Sequence, residues 1–195
     1  MLKENRIEKL KAIQEYILSH LKNNLPANIV FICVQNSRRS HLSQVIAQHT
    51  AHQFQLHDVH CYSGGVEVTQ IHPNTIKCLK SLGYSINLIK EGENPVYSCS
   101  LDDKSDPILL YSKNFEEVTK TLSHFAAVMV CSESESNCPY VPNAERKILL
   151  PYEDPKWADS TNNPIDAYLK ITLQIQDEMK WLFSNIASQI SSVNN

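Results

Sequence analysis

Cys33 and Arg39 stand six positions apart, and Ser40 follows the arginine directly. A thiol can attack the centre of a tetrahedral oxyanion, and a planar guanidinium can hold two of its oxygens. The flanks say how the two would meet. Ile29-Val30-Phe31-Ile32 is short, β-branched and aromatic, which predicts a buried strand ending at Cys33. From His41 to His52, Leu42, Val45, Ile46 and His49 recur at helical spacing. Strand, tight polar turn and helix put Cys33 at the strand's carboxyl end and Ser40 at the helix start. The backbone amides of Val34, Gln35, Asn36, Ser37, Arg38, Arg39 and Ser40, with the positive end of the helix, then form a cradle for an anion. A cysteine at its floor is expected partly as thiolate, with Ser40 placed to hydrogen-bond the sulfur.

A second pair of thiols follows another apolar run. Phe125–Val130 leads into Cys131, and Cys138 comes after six residues rich in Ser and Glu. No C-x2-C accompanies them, and the eight histidines show no ligand spacing, so neither a metal nor another cofactor is expected. The polar segment between the two cysteines would let them form a disulfide if it loops; the alternative is two unrelated buried thiols. Asp154-Pro155 ends the next apolar stretch. Proline restricts Asp154 to extended backbone, which can aim its carboxyl over the cradle as a general acid, with Glu153 the competing candidate.

The remaining pattern supplies the frame. Residues 2–23 read as an amphipathic helix with Ile7, Leu10, Ile13, Ile17 and Leu21 on one face, packing on the domain or on another copy of the chain. Strands are predicted over 57–63, 125–130 and 147–150, and helices over 73–82, 115–123 and from Pro164 onward. Tyr84–Ile89 reads as a short strand or turn, and 91–106 as a polar insertion or hairpin leading to Ile108–Tyr111. Alternating strands and helices call for an α/β fold: a three-layer open parallel sheet with helices on both faces. Residues 1–25 form the added N-terminal helix and 26–195 the α/β domain. Cys33, Ser63, Cys131 and Asp154 all fall at strand carboxyl ends, the rim where such sheets bind ligands.

Bulk properties narrow the function. A net charge of −3 with no basic stripe argues against nucleic acid, and no run of 18 apolar residues argues for a membrane partner. The N-terminus is too charged for a secretory signal, so the six cysteines are expected as thiols in a reducing cytoplasm. Cys61 and Cys78 read as small buried hydrophobes, and Cys99 as an exposed loop residue. Trp157 is expected to wall the pocket and Trp181 to pack against the sheet.

These residues resemble a known family. Cys33–Ser40 resembles the phosphate loop of low-molecular-weight protein tyrosine phosphatases and of the related thioredoxin-coupled arsenate reductases. Cys131-Ser-Glu-Ser-Glu-Ser-Asn-Cys138-Pro139 resembles the reductases' redox segment, and Tyr152-Glu153-Asp154-Pro155 the acid loop that follows. Tyr62-Ser63-Gly64-Gly65-Val66-Glu67 and His72-Pro73 are similar as well. The resemblance implies Cys33 as nucleophile, Arg39 as oxyanion clamp, Asp154 as acid and Cys131 and Cys138 as a thiol relay. It implies arsenate as substrate and a thioredoxin-like reductant as partner. The alternative it implies is hydrolysis of phosphotyrosine or a small aryl phosphate ester through a phosphocysteine at Cys33; a third reading is a docking protein that kept the fold. The chain departs from the pattern at Gln35 and Arg38, at Lys156 and Trp157 where the phosphatases carry an aromatic pair, and at Gln44, which is often acidic in potassium-binding reductases. Arg38 is expected to add its charge to the cradle.

Overall fold

The computed structural model describes residues 2–100, 106–131 and 140–193. The chain runs α1 (Glu4–Lys22), β1 (Ala27–Cys33), α2 (Arg39–Gln53), β2 (Val59–Gly65), α3 (Pro73–Ser81), β3 (Ser85–Lys90), β4 (Val96–Ser100), β5 (Ile108–Leu110), α4 (Phe115–Thr119), β6 (Ala126–Met129), β7 (Arg146–Leu149) and α5 (Pro164–Val193). The central sheet has the order β2-β1-β6-β7, with every pairing parallel.

Both faces of β1 are buried, and its side chains divide the core. Ile29, Phe31 and Cys33 join the larger cluster with α1, α2, α3 and α5, while Val30 and Ile32 meet Phe115 of α4 and Val141 on the other side. That is why the strand reads as a continuous apolar run rather than an alternation. β6 divides in the same way: Val128 and Val130 face the larger cluster, and Met129 and Cys131 face the smaller.

Residues 84–111 take the expected short strand and the hairpin rather than a plain insertion, and the pairing extends to three strands. β3, β4 and β5 form a separate antiparallel sheet, which closes on the main core through Ile86, Cys99 and Leu110. Cys99 is therefore 1% exposed, not an exposed loop thiol. Its neighbours in β4 are only half-buried, so the single inward position escapes any periodicity argument.

α1 lies along α5 and the β7 edge. Its Arg6 reaches the buried Glu178 of α5, with Nε donating to Oε1 at 2.8 Å and Nη2 to Oε2 at 2.6 Å. Nη1 donates to the Pro151 carbonyl at 2.7 Å, and the guanidinium lies 4.8 Å above the Tyr152 ring. The added helix is thus fastened to the strand end from which the Asp154 loop leaves. Among the described residues no helix is long and apolar enough to cross a membrane.

Candidate active site

Cys33 is the last residue of β1, and α2 starts at Arg39, so residues 34–38 make the turn between them. Its carbonyls point outward. That of Val34 accepts from the amides of Val66 and Glu67 at 2.7 and 2.9 Å. That of Gln35 accepts from Ser112 Oγ at 2.9 Å, and that of Ser37 from the His72 amide at 3.0 Å. Among the described residues, no amide from Gln35 to Arg38 donates to a backbone carbonyl. A loop with its oxygens turned out and its amides left over is the geometry of an anion nest. Gly65 lets the loop close: a Cβ there would sit 2.5 Å from the Asn36 nitrogen.

A chain of hydrogen bonds runs from the loop to the sulfur. Asn36, fully buried at φ 44°, accepts from the Lys113 amide at 3.0 Å and donates to Ser40 Oγ at 2.8 Å. The Ser40 hydroxyl, held by that bond, also shares a hydrogen bond with Cys33 Sγ, 3.0 Å away. Asn is among the few residues that adopt positive φ at low cost, and here its side chain also fixes Ser40.

Cys33, Val34, Gln35, Ser37, Arg38, Arg39, Asp154 and Lys156 line an open cleft of about 170 Å³. Pockets for drug-sized ligands run from about 300 Å³ upward, so this one suits a small anion. Asp154 stands where the loop after β7 meets Arg39, its Oδ2 2.6 Å from Nη2. Its Oδ1 caps the following turn by accepting from the Lys156 amide at 3.0 Å. Glu153, the competitor, points to solvent beside Lys170.

Two expectations are corrected. The Arg38 guanidinium adds no net charge to the cradle, because Asp159 Oδ2 at 2.6 Å and the Tyr168 hydroxyl at 2.8 Å engage it. Trp157 does not wall the cleft; it is 64% exposed and outside the lining, where Lys156 stands instead. Cys131 is buried just past β6, in the layer under α4 rather than the layer that holds Cys33. Cys138 lies outside the described residues. Burial pushes up the thiols of Cys61, Cys78 and Cys99, the last to about 12, so these three stay protonated.

Sequence reasoning overlooked Lys113. Its Nζ lies 3.5 Å from Ser63 Oγ and 4.6 Å above the Tyr111 ring. Ser63 in turn donates to Gln44 Oε1 at 2.6 Å and sits 3.3 Å from the ring of His41, which burial holds neutral. The chain therefore supplies its own cation beneath the loop, eighty residues on from Cys33, with no local pattern to mark it. Burial lowers the Lys113 pKa to about 8. Between that value and about 10.4, where a free lysine titrates, the unfolded chain binds a proton that the native chain does not, so stability rises with pH. In urea unfolding at pH 7 and pH 10, the difference in stability between wild type and Lys113→Met should move in favour of wild type at the higher pH. A difference that does not move would show that the ammonium is not desolvated.

The model of the family described as low molecular weight phosphotyrosine protein phosphatase matches residues 28–191. The chain belongs to this family. It is an enzyme of the family by descent, and its added helix α1 lies outside the match. An arsenate reductase from Staphylococcus aureus strain Newman is 26% identical over 161 residues, 83% of this chain and 96% of that protein. One from Bacillus licheniformis is 22% identical over 152 residues, 77% of this chain and 88% of that protein. Among solved structures, a low molecular weight phosphotyrosine phosphatase from Vibrio cholerae O395 shares the fold, with a TM-score of 0.54 and 12% identity over 81% of this chain and 94% of that one.

Proposed function

We propose that this chain reduces arsenate to arsenite, with Cys33 as nucleophile and Cys131 and Cys138 as a relay recharged by a thioredoxin-like dithiol. The observation that carries the reading is the second cysteine: Cys131 lies buried just past the end of β6, the strand that pairs with the one ending in Cys33. The curated relatives support it, being arsenate reductases matched over almost their whole length.

In the proposed sequence arsenate enters the loop amides and takes the Arg39 donor now held by Asp154, so the acid moves with anion entry. The Cys33 thiolate attacks arsenic, and Asp154 gives its proton to the departing oxygen, which leaves as water. Cys131 attacks the Cys33 sulfur. An S–S bond forms, the S–As bond breaks with its electron pair staying on arsenic, and arsenite leaves. Cys138 then attacks Cys131 and frees Cys33, and an external dithiol reduces the 131–138 bond. Because Cys131 packs in the opposite layer, the second step requires the segment after β6 to turn its sulfur toward the rim. A relay that depends on a dithiol needs a reducing compartment, and the cytoplasm is the proposed place of action.

The phosphatase reading needs the loop and acid but no second thiol. One observation weighs against phosphotyrosine as its substrate: among the described residues that line the cleft there is no aromatic ring to stack on a phenyl group. The two readings separate in the Cys131→Ser/Cys138→Ser double variant. Arsenate-dependent NADPH oxidation with thioredoxin and its reductase should fall from continuous turnover to at most one event per chain. Hydrolysis of p-nitrophenyl phosphate, where the wild type shows it, should persist in the variant. Continued cycling by the variant would overturn the relay.

A further inference from the structure

The geometry points to a zinc site at the end of the sheet opposite Cys33, made by His20, His124 and Glu145. His20 lies in the last turn of α1, His124 just before β6 and Glu145 just before β7. One ligand atom from each falls within 4.8 Å of the others. His20 Nε2 is 3.1 Å from Glu145 Oε2, and His124 Nδ1 is 2.5 Å from Glu145 Oε1.

The orientation of His20 argues for an ion. Its Nδ1 lies 3.1 Å from the Tyr16 carbonyl, a partner that can only accept, so Nδ1 donates and the ring is held with its buried Nε2 toward Glu145 Oε2. An imidazole whose far nitrogen donates to a carbonyl is the arrangement of a metal-bound histidine held in orientation.

The frame is rigid. The Asn28 side chain donates to the His124 carbonyl at 2.8 Å, and the Glu145 amide donates to the Phe125 carbonyl at 3.0 Å. Two imidazoles and a carboxylate suit zinc, with water in the fourth position. Tetrahedral bonds of about 2.05 Å set ligand atoms roughly 3.3 Å apart, so His124 would draw back from the carboxylate and any pair near the 4.8 Å limit would close on the ion. A cleft of about 430 Å³ that reaches Glu15, Ser19 and Glu145 gives an ion its way in. Placed away from the oxyanion loop, the ion would hold the end of α1 against the sheet. Sequence reasoning misses the site because its ligands are 104 and 21 residues apart, with no motif linking them.

The test is zinc binding to the full-length chain by calorimetry, with wild type beside His124→Gln and Glu145→Gln. Both positions are at the surface, and circular dichroism checks that each variant is folded. All three proteins keep the six cysteines, so thiol-bound zinc is common to them. Wild type should bind one more equivalent than either variant, or bind it about 100-fold or more tightly, at least what losing an outer partner of a metal ligand costs. Cobalt in that extra site should show no sulfur-to-metal charge-transfer band, and zinc should slow amide exchange in α1 of wild type alone. Equal stoichiometry and affinity in the three proteins, or an extra site with sulfur charge transfer, would overturn the proposal.

Discussion

Cys33→Ser should abolish arsenate reduction and any aryl phosphate hydrolysis together, with kcat falling on the order of 10⁶-fold, as in other enzymes that lose a covalent nucleophile. The hydroxyl that replaces the sulfur is not ionised near neutral pH and cannot form the disulfide that returns electrons to arsenic. Folding should be nearly unaffected, since serine can keep the hydrogen bond with Ser40 now made at 3.0 Å. The measurement is steady-state turnover on both substrates beside a urea unfolding curve. Loss of one activity alone would mean that the two reactions do not share the loop.

The second large effect lies in α1. Arg6→Met should destabilise the chain by about 3–5 kcal/mol, the cost of leaving one partner of a buried ion pair alone. Glu178 is 1% exposed and would keep the Tyr152 hydroxyl at 2.8 Å and the Gln174 amide at 3.1 Å, but no cation. Replacing both members, Arg6→Met with Glu178→Leu, should recover most of the loss, because an apolar pair of similar volume needs no desolvated charge. Urea midpoints of the wild type, the single variant and the double variant decide it. A single variant as stable as wild type would mean that α1 is not anchored through this pair. The same variant should disturb the acid loop, because the Tyr152 carbonyl accepts from Arg39 Nη1 at 3.3 Å.

How much could be read beforehand varied with the range of the interaction. The turn from Cys33 to Ser40 was legible because strand, turn and helix are local patterns of apolar spacing and of residues suited to an anion. The three-stranded sheet of 85–110 was not legible as such. Its strands are short and half-exposed, and only Ile86, Cys99 and Leu110 turn inward, too few to show a period. Arg6 is one charge among several in an amphipathic helix, and nothing nearby in the chain announces Glu178, 172 residues on.

The sequence by itself determined the alternation of strands and helices, the rim on which the reactive residues gather, and the thiol and guanidinium six positions apart. Those features depend on spacing along the chain, which apolar periodicity and turn chemistry record. Only the tertiary structure decided which charges meet. It turned Arg38 to Asp159, brought Lys113 under the loop, closed Arg39 on Asp154 and held Cys131 in the layer away from Cys33. The reason is physical: an ion pair or a buried amine is set by distance in space, and burial then fixes its energy, so neither leaves a mark at the separation where sequence patterns are read.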